Sequence, residues 1–144
     1  MDMVIQSGIN FDAFGLAMRF GRDESGMHIR DMMQISSILD SFVPISRPMY
    51  ITNVEVPGRN VPGPWAAENA GAWHNLWDQA GQSEWLDQFY RIALSKSCFD
   101  GVIYSSFADV KESPLPESGL LTVELSSKEA YATLKKYHDR IFGR

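Results

Sequence analysis

The chain has 144 residues, 44% of them hydrophobic and 22% charged, with a formal net charge of −5. That length suits one domain able to bury a core, and the acidic balance argues against a general nucleic-acid or anionic-membrane role. No apolar run approaches membrane-spanning length, the first residues do not read as a secretory leader, and the single cysteine, Cys98, excludes an intrachain disulfide and zinc-type cysteine spacing. Residues 1–8 read as the end of a helix stopped by Gly8. Phe11 to Phe20 is a nearly continuous apolar run, the pattern of a strand covered on both faces. Met27 to Phe42 repeats apolar residues at helical spacing through Ile29, Met32, Met33, Ile35, Ile38, Leu39 and Phe42, and Pro44 ends it.

The next stretch organises the chain. Met49 to Val56 is bracketed by Pro48 and Pro57, neither of which can donate to a sheet ladder, and is rich in β-branched and aromatic residues. Strict alternation puts Ile51, Asn53 and Glu55 on one face and Thr52, Val54 and Val56 on the other. Polar side chains at the C-terminal end of a strand are where α/β proteins place chemistry; an edge strand with one wet face gives the same pattern.

A long loop follows, from Gly58 to Gly81, with three of the four tryptophans, Trp65, Trp73 and Trp77, and with His74. Loops of this length are commonly functional or disordered, and the aromatic content argues against disorder. From Gln82 a helix with Trp85, Leu86, Phe89, Ile92 and Ala93 on one side runs to about Ser95, placing Trp85 in the core. Phe99 to Phe107 reads as a third strand, with Cys98 before it as a small buried hydrophobe. A loop spans Ala108 to Gly119. Ser126 and Glu129 have capping-box spacing, ahead of a last helix with Ala130, Leu134, Tyr137 and Ile141 on one side. The order strand–helix, three times over, predicts an α/β protein with parallel pairing and right-handed crossovers. No histidine, cysteine or serine arrangement suggests a triad, and His28, His74 and His138 read as surface, loop or helix residues.

Five segments, in order, carry a resemblance. Phe11–Leu16, the Tyr50–Pro57 stretch with Ile51-Thr52-Asn53, the run Gln82–Tyr90, the strand Gly101–Asp109, and Gly119-Leu120-Leu121 with Lys128–Leu134 resemble the closing part of glycoside hydrolase family 10, the xylanase-like (β/α)8 barrels. The resemblance implies three consecutive βα units equivalent to strands 6–8, a single partial TIM-barrel domain over residues 1–144. A complete barrel takes about 250 residues. It implies action on β-1,4-linked plant polysaccharide such as xylan, with no cofactor or metal and no nucleic-acid or membrane partner. Family members are usually secreted; these residues leave the location unknown.

The same resemblance locates the site and its departures. The family nucleophile is the glutamate of an Ile-Thr-Glu motif, where this chain has Asn53. An amide is neutral and far less nucleophilic than a carboxylate, although it can orient a hydroxyl or a water. Glu55, two residues on, is the candidate displaced carboxylate; the alternative is a polar strand end bonded to loop backbone. The family acid/base lies on a fourth strand with no counterpart here, so the chain alone is expected to be inactive, with a non-catalytic carbohydrate-binding or assembly protein as the alternative. Ala17 and Arg19 stand where the family offers glutamine and histidine, and Arg19 is placed to pair with Glu55. Tyr104 and Ser105 stand where tryptophans floor the sugar subsite, leaving Tyr104 as a stacking residue. Trp73 and Trp77 either stack on sugar or pack beneath the rim, and Asp109 bonds loop backbone or substrate. The first and third strands would have open edges, so an oligomer, a partner chain completing the barrel, or poor folding is expected.

Overall fold

The structure, a computed structural model, describes residues 8, 10–21, 28, 30–45, 47–60, 73–113 and 115–143. Its elements are β1 (Phe14–Arg19), α1 (Met32–Asp40), a 3-10 turn (Val43–Ile45), β2 (Met49–Glu55), α2 (Gln79–Ser95), β3 (Phe99–Tyr104) and α3 (Glu129–Phe142). The strands form one parallel sheet in the order β1-β2-β3. This is the expected α/β arrangement of three βα units, a segment of a TIM barrel. The expected helix end before Gly8, Trp65 and the greater part of the long loop lie outside the described residues.

The central strand departs from strict alternation. Met49, Ile51, Val54 and Val56 are all fully buried, a spacing of two, three and two. The extra residue sits at Thr52, where pairing with β1 jumps from Leu16↔Ile51 to Ala17↔Asn53. Such a bulge turns the following side chains over to the other face. The expected grouping of Ile51 with Asn53 and Glu55 is therefore corrected. Ile51 shares the helix-covered face with Val54 and Val56, while Asn53 and Glu55 project from the opposite face with Tyr50. The Thr52 hydroxyl donates across the irregularity to the Leu16 carbonyl at 3.2 Å.

β1 is shorter than the apolar run and is not covered on both faces. Its exposure alternates, with Gly15 and Ala17 exposed and Met18 buried, because only one of its faces meets helices. The helices differ at their starts for local reasons. α1 begins at Met32, where the Asp31 carboxylate accepts from the Gln34 N–H at 2.8 Å. α2 begins at Gln79, earlier than its apolar stripe, because Asp78 accepts from the Gly81 N–H at 2.7 Å. Gly81 thus lies inside a capped first turn. The capping box at Ser126 and Glu129 does not form. Lys128 is the N-cap and makes no side-chain cap hydrogen bond. Ser126 is spent in a tight turn with Thr122, accepting from its N–H at 2.8 Å and donating its own N–H to the hydroxyl at 3.2 Å.

The core lies between the sheet and the helices. Trp85, as expected, is fully buried, stacked on Phe89 at 4.9 Å and tilted against Phe20 at 5.5 Å. Burying a side chain of this size contributes about 1.5–3 kcal/mol. α3 packs on α2 through Tyr137, whose hydroxyl donates to Asp87, and through Ser83 and Thr133 at 2.8 Å. Only Ala130 of the α3 stripe is fully buried; Ile141 is exposed. Lys96 ties the end of α2 to α1 through Asp40 at 2.7 Å. Cys98 is free and half-buried at the core's margin.

Candidate functional site

The site is built at the C-terminal ends of the three strands, on the face away from the helices. Parallel register sets Ala17 opposite Asn53 and Arg19 opposite Glu55. The Asn53 Oδ1 accepts from the Ser105 hydroxyl at 2.8 Å, just past β3. Asn53 and Ser105 thus form a neutral polar pair at the level where the resemblance expects a nucleophile and an aromatic floor.

Glu55 is buried and its carboxylate is enclosed on three sides. Oε1 accepts from the Ser118 hydroxyl at 2.8 Å and also from the Ser106 hydroxyl. The two serines are themselves 3.2 Å apart. Oε2 faces the Arg19 Nε at 3.5 Å, a contact of opposite charges that falls short of a hydrogen bond. The Arg19 side chain is 40% exposed, so its outer guanidinium nitrogens reach the open side of the sheet. The arrangement holds a carboxylate in place by two neutral donors and one cation. It leaves little of that carboxylate free to attack a substrate.

Other expected site residues lie elsewhere. Tyr104 turns towards the helix layer, not the open face. Its hydroxyl lies against the carbonyls of Val56 and Ser118 and the amide of Gln82, and burial pushes its phenol well above the ordinary range. It is therefore not placed to floor a sugar ring; Val54↔Tyr104 pairing puts it on the core side of β3. Trp73 and Trp77 are 7% and 4% exposed and belong to the core, so packing, not stacking on a ligand, is what the rings do here. His74 stays exposed beside them with a positive φ of 63°. Asp109 serves the loop backbone. It accepts from the Gly119 N–H at 2.7 Å and pairs with the fully buried Lys128 ammonium at 3.3 Å. Lys128 also donates to the Glu117 carbonyl at 2.6 Å.

Ser106, Ser118, Gln82 and Lys128 were not singled out from the sequence. Gln82 had a visible signal, being a polar residue on the apolar stripe of α2, three and four positions before Trp85 and Leu86. Its amide nitrogen donates to the carbonyls of Val56 at 3.3 Å and Ser118 at 3.1 Å. It thereby joins the end of β2 to the loop that presents Ser118. The Ser105-Ser106 pair directly after β3 was visible but reads equally as loop. Ser118 and Lys128 lie in irregular chain, where no periodicity marks them. Among the described residues, no group of three or more His, Cys, Asp or Glu is placed to hold a metal ion.

No known family and no curated protein matches the chain in sequence. Solved structures do match in fold. A thermostable mutant of a xylanase from Cellvibrio japonicus superposes with a TM-score of 0.65 at 17% identity, over 92% of this chain and 41% of that one. Native xylanase 10B from Thermotoga maritima gives 0.65 at 16% identity, over 99% and 42%. A β-glucuronidase from Bifidobacterium dentium gives 0.62 at 15%, over 88% and 20%. The chain thus spans from a fifth to two fifths of these proteins, and what it shares with them is the fold of a TIM-barrel segment.

Proposed function

We propose that this chain forms one wall of a carbohydrate-binding barrel mouth and, by itself, does not hydrolyse glycosidic bonds. The observation that carries this reading is the pair at the end of β2, a neutral Asn53 beside a carboxylate already engaged on three sides. Retaining hydrolysis requires two carboxyl groups roughly 5–5.5 Å apart, one to attack and one to protonate the leaving oxygen. Asn53 cannot attack. Glu55 has one oxygen taken by Ser106 and Ser118 and the other turned to Arg19.

What remains suits recognition. Amide, hydroxyl and guanidinium groups converging at a strand end are the groups that hydrogen-bond sugar hydroxyls. The fold likeness to xylanases and the Ile51-Thr52-Asn53 resemblance favour a β-1,4-linked plant polysaccharide such as xylan as the ligand. The test is release of reducing ends from xylan and from an aryl xyloside by the full chain. The expected result is none. Turnover that disappears in Glu55→Gln and survives in Asn53→Ala would instead make Glu55 a displaced nucleophile and overturn the non-catalytic reading.

A further inference from the structure

We propose that the hollow between the C-terminal halves of α2 and α3 is a binding site for the phosphate monoester group of a small organic molecule. It lies in the helix layer, across the sheet from the face that carries Asn53 and Glu55, and is independent of the sugar-binding reading.

The hollow has a volume of about 310 Å³ and is lined by Arg91, Lys136, Tyr137 and Arg140. Small-molecule sites begin at about 300 Å³. Three cations therefore meet in one place on a chain whose formal net charge is −5. One acid, Asp87, organises the wall. Its Oδ2 lies 2.8 Å from a terminal nitrogen of Arg91, and its Oδ1 accepts from the Tyr137 hydroxyl at 2.8 Å. The Tyr137 ring stacks on Tyr90 with centroids 5.8 Å apart. Arg91 is thus anchored at one side while its side chain stays 67% exposed. Among the described residues, nothing pairs with the side chains of Lys136 and Arg140.

Those two cations are placed at a local cost. Lys136 and Arg140 stand one turn apart on α3, a spacing at which like charges oppose the helix. Arg140 recovers part of that cost in the last turn, against the C-terminal carbonyls. Lys136, a turn earlier, does not. An anion between them removes the repulsion. The charge count selects the kind of anion. Three cations against the single Asp87 carboxylate leave two positive charges. A phosphate monoester carries about 1.5–2 negative charges at neutral pH, which matches them; a carboxylate supplies only one. Two guanidinium forks can each meet a pair of phosphate oxygens, and the lysine adds a point charge. The helix dipoles oppose an anion only within their last turns, and Arg140 already counters that of α3.

The probe is glucose 6-phosphate, titrated into the labelled full chain at neutral pH and low salt and followed by NMR. The expected outcome is saturable shifts at Arg91, Lys136, Tyr137 and Arg140, with none from glucose. Lys136→Gln combined with Arg140→Gln should weaken binding by about tenfold or more. The melting temperature of that double variant should not fall, because both side chains are exposed and repel each other. Glucuronate, with a carboxylate in place of the phosphate ester, should bind more weakly; equal affinity would overturn the phosphate assignment. Shifts that do not saturate, or that sodium sulfate reproduces in full, would reduce the hollow to non-specific ion attraction. Binding to vesicles containing phosphatidic acid, without binding to the soluble ester, would overturn the proposal in favour of a lipid headgroup. None of these results alters the reducing-end assay, so the two readings fail separately.

Discussion

Glu55 is held by two hydroxyls that lie 51 and 63 residues further along the chain, Ser106 after β3 and Ser118 before α3. Hydrogen bonds to a charged group contribute about 1.5–3 kcal/mol each, so Ser118→Ala should lower stability by about that amount in urea denaturation; an unchanged midpoint would remove Ser118 from the account. Lys128 and Asp109 make a stronger case. Removing one member of a buried ion pair costs about 3–5 kcal/mol, because the other is left uncompensated, whereas replacing both with apolar residues can be close to neutral. Lys128→Met should therefore be severely destabilising. Lys128→Met with Asp109→Leu should recover much of that loss, short of the bonds to the Gly119 N–H and the Glu117 carbonyl that the pair also makes. Additive losses in the double variant would contradict a coupled pair. Burial also raises the phenol of Tyr90 above its ordinary value. A raised folded-state value favours the neutral form, so its stabilisation is complete below pH about 10 and is lost as pH rises beyond it. Tyr90→Phe, which deletes only the ionisable group, should flatten the fall in melting temperature above pH about 10. At this scale the pairing of Arg19 with Glu55 was legible, since parallel register fixes neighbours once both strands are identified. The enclosing serines were not, because loops carry no period.

The elements show where local rules were sufficient and where tertiary contacts overrode them. Helical spacing identified α2 and its core face from Trp85 to Ala93, and strand chemistry identified β2. Alternation failed inside β2, because a single extra residue at Thr52 exchanges the faces, and nothing in Pro48 to Pro57 marks which residue bulges. The Ser126–Glu129 spacing misled for a similar reason: Ser126 closes a turn with Thr122, and the buried Lys128 fixes where α3 starts. These assignments predict a contrast. Asp78→Ala removes a formed cap and should cost about 1 kcal/mol. Ser126→Ala removes no cap and should stay within about 0.5 kcal/mol. Thermal denaturation that ranked the two in the opposite order would refute the cap assignments.

At the scale of the molecule, the strand–helix order in the sequence was sufficient for the parallel sheet, and the structural likeness to barrel enzymes agrees with it. Trp73 and Trp77 were ambiguous because tryptophan serves cores and ligands alike, and only burial separates the two uses. Among the described residues, the sheet face that carries Asn53 and Glu55 meets no helix, and no strand pairs with the outer sides of β1 and β3. Self-association through these surfaces is accordingly expected at high concentration, and Ile103→Lys should reduce it in sedimentation equilibrium. The most direct test of the central claim, a sugar-contacting but non-catalytic strand end, is an NMR titration of the labelled full chain with a xylan-derived oligosaccharide. The account predicts shifts confined to the amides of Arg19, Asn53, Glu55 and Ser105, with the oligosaccharide's anomeric signals unchanged over time. New reducing-end signals, or shifts that leave those four residues untouched, would contradict it.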